Sequence, residues 1–73
     1  MNDKQRAKYE ELQRKNKLNR LQVAAFQMLF KLRLPEVGIE TAFASAIADT
    51  SDVCFRKAFE KRPDLVEKWV KEH

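Results

Sequence analysis

Apolar side chains are sparse at the start of the chain. In the first seventeen residues only Met1, Ala7, Tyr9 and Leu12 stand among charged and amide residues. From Leu18 the pattern changes. Leu18, Leu21, Ala25, Met28 and Leu32 recur at alternating steps of three and four, the period of one helix face. Val23, Phe26 and Phe30 form a second stripe on another side, and a helix apolar on two sides is buried on two sides. The pattern predicts a first helix from Asp3, as N-cap, to about Arg33. Pro35 is expected to stop it, because the residue before a proline is driven out of the α region. Such a helix is roughly 45 Å long at ~1.5 Å per residue. A compact domain of this chain length is only about 28 Å across. The helix must therefore overhang its domain, bend or fray. Its polar half carries Glu10–Arg14 and Glu11–Lys15 at i,i+4, each worth ~0.3–0.5 kcal/mol.

Leu34 to Gly38 reads as a turn. A second helix follows, about Ile39 to Ala48, with Ile39, Phe43, Ala46 and Ile47 on one stripe. The small residues Ala42, Ala44, Ser45 and Ala48 permit close approach of a neighbour. Asp49, Thr50 and Ser51 make the next turn, and Thr50 or Ser51 caps a third helix, about Asp52 to Lys61, with Phe55, Ala58 and Phe59 inward. Pro63 marks a boundary. A fourth helix starts near Asp64 and gathers Leu65, Val66, Trp69 and Val70 on one face, and His73 is expected to fray. Strand-type alternation is nowhere sustained. The expectation is a single all-α domain: a small four-helix fold with a long N-terminal helix and three short helices packed on its C-terminal half. Residues 1–17 form a basic polar helical arm, and residues 18–73 the helical core domain.

Length confirms one domain and bounds the core, since 73 residues bury a small fraction of their surface. Charge adds a direction. The net +4 is concentrated at the start, where residues 1–20 hold seven Lys/Arg against three Asp/Glu. Such a patch attracts phosphate backbones or acidic protein surfaces.

The chemistry of sites is thin. Cys54 is the only cysteine, so no disulfide within the chain is possible, which fits a reducing, cytoplasmic setting. No apolar run approaches the roughly 18–20 residues of a membrane span, and the N-terminus lacks a secretory apolar region. One histidine and one cysteine cannot supply a zinc ligand set, and His73 sits at a chain end, a poor base for Cys54. Cys54 reads as a small, partly buried apolar residue in the first turn of the third helix. Carboxylates have basic neighbours at helical spacing, and phosphate-loop fingerprints are missing. No catalytic residue, metal or cofactor is expected, and the chain reads as a non-enzymatic regulatory binding protein.

DNA is the leading expected partner. One route is the basic arm, with Lys4, Arg6, Lys8, Arg14, Lys15, Lys17 and Arg20 along a phosphate backbone. The other is a helix-turn-helix-like reading of residues 39–61. There the third helix exposes Val53, Lys57 and Lys61 opposite Phe55 and Phe59, with Arg56 on its flank. Against that second route stand a turn without glycine, Asp52 and Glu60 beside the exposed face, and no outward Asn, Gln or Ser to read bases. The runner-up is an inhibitor or adaptor that docks on a larger protein through the long helix, anchored by Tyr9 and Leu12. The short helices can cover one side of the first helix, and the second stripe invites a second copy of the chain, so a homodimer is expected through the Leu18–Leu32 region, which holds Leu18, Leu21, Ala25, Met28 and Leu32.

Overall fold

In a computed structural model, which describes residues 2–73, four α-helices follow one another: α1 (Asp3–Val37), α2 (Ile39–Asp49), α3 (Asp52–Lys61) and α4 (Pro63–Glu72). The fold is all-α, with three shorter helices packed on a long first one. The 35 residues of α1 set the long axis of a molecule measuring 52 × 21 × 16 Å.

Both ends of α1 differ from expectation. Asn2, not Asp3, is the N-cap, and its Oδ1 accepts a hydrogen bond from the Gln5 N–H at 2.9 Å. Asp3 becomes the first helical residue, where its charge meets the positive end of the helix dipole. Pro35 does not stop the helix, which continues to Val37, and the predicted turn over residues 34–38 contracts to Gly38 alone. Pro35 cannot donate to the Lys31 carbonyl. Lys31 is an exposed residue, however, and the bond that closes the last turn, Gly38 N–H to the Leu34 carbonyl, forms at 3.1 Å. Gly38 turns the chain at φ 86° and ψ 168°, a backbone conformation open to glycine. Its carbonyl accepts the Ala42 N–H at 2.9 Å and so opens α2.

From that turn α2 runs back along α1. It presents Ala42 and Ala46, both fully buried, to the long helix, so the two backbones approach closely. The larger members of the expected α2 stripe do not fill a core: Ile39, Phe43 and Ile47 all stay about half exposed or more. Phe43 instead meets α1 edge-on, at 5.5 Å from Phe26 and 6.3 Å from Phe30 between ring centroids. Arg33 Nη2 pairs with Asp49 Oδ2 at 2.6 Å and ties the far end of α2 to α1. Next to it the buried Thr50 donates its hydroxyl to the Ala46 carbonyl at 2.6 Å, and its own carbonyl accepts from Gln22 Nε2 at 2.6 Å. Thr50 thus closes α2 instead of capping α3. Ser51 occupies the α3 N-cap position without a side-chain bond.

α3 continues in the same direction, with Phe59 and Glu60 beside Arg14 and Leu18. α4 then returns alongside α1. Lys17 Nζ lies 2.6 Å from Glu67 Oε1, and Trp69 shares a groove with Leu29. At the turn between them Arg62 holds Asp64 at 3.5 Å, and its hydrogen bond and charge keep that carboxyl below the ordinary aspartate range. The core lies where the three helices meet: Leu18, Ala25 and Phe55 are buried, with Leu21, Phe59, Val66, Trp69 and Val70 packed around them. Two expected core members fall outside it. Ala58 and Leu65 are exposed on the groove between α3 and α4, because Phe55 and Phe59 occupy the side of α3 that meets α1.

Candidate functional site

Three surfaces stand out. The first is the arm. Every described residue up to Lys17 is exposed, and Leu18 is the first buried one. Glu10 pairs with Arg6 at 3.8 Å, not with Arg14, while Glu11 pairs with Lys15 at 3.9 Å as its spacing predicts. Among the described residues Lys4, Lys8, Arg14 and Arg20 have no carboxylate at ion-pair distance. Lys17 is held by Glu67 and serves the fold. Tyr9 (57% exposed) and Leu12 (51%) stand three residues apart, neighbours on one helix side.

The arm meets α3 at a hollow of about 350 Å³, where Arg14, Lys15 and Arg56 gather with Glu11, Phe59 and Glu60. Arg56 is engaged by Asp52 at 3.3 Å, and two carboxylates share the hollow. The positive field there is therefore weaker than the count of cations suggests. Lys57 and Lys61 are exposed on α3, as their spacing from Phe55 and Phe59 predicts, and among the described residues neither has an ion-pair partner. The packing of α2 and α3 departs from a helix-turn-helix. In that motif the second helix is braced across the first. Here α2 packs on α1, and α3 packs on α4 and α1, with no extensive interface between α2 and α3.

The second surface is a groove of about 610 Å³ between α1, α3 and α4. Its floor is Leu29, Phe55 and Trp69, and its rim carries Arg33, Asp49, Lys68 and Glu72. Those rim charges are already paired as Arg33–Asp49 and Lys68–Glu72, although Arg33 Nη1 is buried without a partner. Cys54 is exposed on the wall, not partly buried as its sequence context suggested, because the inward positions of α3 belong to Phe55 and Phe59. His73 lies over Trp69, with ring centroids 5.1 Å apart and Nδ1 3.1 Å from the Trp69 carbonyl oxygen.

The third surface enlarges the second stripe of the first helix, which the sequence marked only over Val23, Phe26 and Phe30. On α1, Val23, Phe26, Phe30, Leu34 and Val37 follow steps of three, four, four and three, and so share a side. On α2, Ile39, Phe43 and Ile47 follow steps of four. Phe43 touching both Phe26 and Phe30 joins the two stripes into one face of the hairpin. Ile39 is 65% and Phe43 50% exposed, and a hollow of about 580 Å³ between Val23, Phe43 and Ile47 marks one end. No lysine or arginine lies in either stripe. The signal was present in sequence as the second stripe of α1, but its continuation through Leu34 and Val37 depended on the helix passing Pro35.

The expected dimer residues divide accordingly. Leu18 and Ala25 are buried against the chain's own α3 and α4, with Leu21 half-buried beside them, so these three are occupied within the fold. Met28 is half-buried and Leu32 exposed. Among the described residues no helix is long and apolar enough to cross a membrane, and no group of three His, Cys, Asp or Glu side chains is placed to hold a metal ion. Compared with protein-family models, curated proteins and solved structures, the chain matches none of them.

Proposed function

We propose that this chain is a non-enzymatic regulatory binding protein that grips DNA through the phosphate backbone with its projecting N-terminal helix. The observation that carries the reading is the set of unpaired cations, Lys4, Lys8, Arg14 and Arg20, on a helix that extends beyond the core. A rod with cations on several sides can meet phosphates on both walls of a groove, and such contacts carry no base code. Lys57 and Lys61 extend the positive surface onto α3. The reading rests on charge and projection, not on a helix-turn-helix.

The test is a fluorescence-anisotropy titration of a mixed-sequence duplex over a salt series. Binding through about four phosphates makes the logarithm of affinity fall with the logarithm of salt at a slope near −4. Replacing Lys4, Lys8 and Arg14 by Gln is expected to reduce that slope by about 3. No binding at low salt rejects the proposal, as does a slope unchanged in the triple variant.

A second reading is favoured by Tyr9 and Leu12, an exposed apolar pair on the same arm. It makes the arm an anchor for a larger protein, in the manner of a helix seated in a groove. The same titration separates the two. Tyr9→Ala with Leu12→Ala leaves DNA affinity within about twofold if phosphate contacts dominate.

A further inference from the structure

We propose that the apolar face of the α1–α2 hairpin is covered by the same face of a second copy of this chain. This goes beyond the DNA reading and uses none of its residues. The first argument is exposure. Val23, Val37, Ile39, Phe43 and Ile47 are each about half exposed or more, and a monomer seldom leaves a large continuous apolar face open. A stable dimer buries about 600 Å² or more on each partner, and a face that spans both helices of the hairpin is the kind of surface that supplies it.

The second argument is stability. The chain's own buried hydrophobics are Leu18, Ala25, Ala42, Ala46 and Phe55, three of them alanines. A chain this small with so light a core gains from any association that buries more apolar surface. Here that surface includes Phe26 and Phe30, stacked on each other, with Phe43 edge-on to both and half exposed. A face that contributes to folding has to be covered whenever the protein is folded. The partner always present at equal concentration is another copy.

The third argument is complementarity. The stripes contain no charged side chain to select a foreign partner. A two-fold axis sets the same patch of each copy against the other, and two hairpins packed this way make a four-helix bundle. The dimer contact thus leaves the stripe holding Leu18 and Ala25, which the chain's own helices cover, and falls on the second stripe, extended through Leu34 and Val37 and joined by Ile39, Phe43 and Ile47 of α2.

Sedimentation equilibrium over about 1–100 µM tests this, a range that brackets micromolar dissociation constants. The wild-type chain is expected at twice its 8.6 kDa, with a melting temperature that rises with concentration. Ile39→Glu and Ile47→Glu, both at half-exposed positions or more, are expected to shift it to monomer. Leu65→Glu, an exposed apolar residue on the groove, is expected to leave the mass unchanged. A wild-type monomer at the highest concentration, with full helical signal, overturns the proposal. So does a dimer that survives both hairpin substitutions. If those variants lose helical signal, the wild-type mass and the concentration dependence of its melting still decide. DNA affinity that fails while the dimer persists rejects only the DNA reading.

Discussion

Alanine decides the interior of the hairpin. Ala42 and Ala46 are fully buried against α1, while the phenylalanine and isoleucines of the same helix lie beside the contact. A side chain of one carbon lets two helices approach closely, and a longer one there has nowhere to go. Ala46→Leu is expected to destabilise the protein by about 1–3 kcal/mol through overpacking. Ala44→Leu, on the exposed side of α2, is expected to change stability by no more than about 0.5 kcal/mol. Urea denaturation of the two variants checks this, and equal midpoints would refute the assigned interface. Thr50 acts at the same scale. Its hydroxyl satisfies the end of α2 and its carbonyl takes the Gln22 amide, so one buried polar residue fixes the chain's direction into α3.

At the scale of elements, two residues that read alike as turn formers behave differently. Pro35 lies within α1, because it removes a single ladder bond, at an exposed residue, and only two helical residues follow it. Gly38 carries the whole reversal at φ 86°. No atom would crowd a Cβ there, so the cost of a substitution is backbone strain alone. Gly38→Ala is therefore expected to destabilise by about 1–3 kcal/mol. Pro35→Ala is expected to be neutral or stabilising, since it restores a ladder bond. Thermal melts of both variants test the assignment, and a destabilising Pro35→Ala would return the turn to residues 34–38. α3 was readable to the residue, because its polar flanks and the Phe55–Phe59 spacing leave a single register. α2 was readable as a helix but not in orientation, because the sequence offers both an alanine side and an Ile/Phe side as candidates for the interior.

For the molecule as a whole, the arm and the core separate physically. The arm contributes length and charge, and the core contributes the fold. A chain lacking residues 2–9 is expected to keep its unfolding free energy within about 0.5 kcal/mol, because those residues make no hydrogen bond or ion pair with the described residues of the other helices. The same truncation is expected to weaken DNA binding by removing Lys4, Arg6 and Lys8. A large loss of stability would place the arm within the core and undo the division. A helix longer than its domain has to overhang, bend or fray, and the 52 Å axis shows that it overhangs. The candidate surfaces were legible only in part. Charge on the arm is a property of composition, whereas the hairpin face arises where α2 turns its alanines inward.

The amino-acid sequence by itself determined the four helices, the polar character of the first seventeen residues, and the scarcity of metal-binding or nucleophilic groups. Helical periodicity and residue chemistry are local, and no neighbour is needed to state them. Tertiary structure alone decided which of two apolar stripes on α1 becomes core and which stays open. Periodicity says which side chains share a side of a helix. Which side is covered depends on where the next helix is turned and how closely it can approach, and here Gly38 and the buried alanines set both.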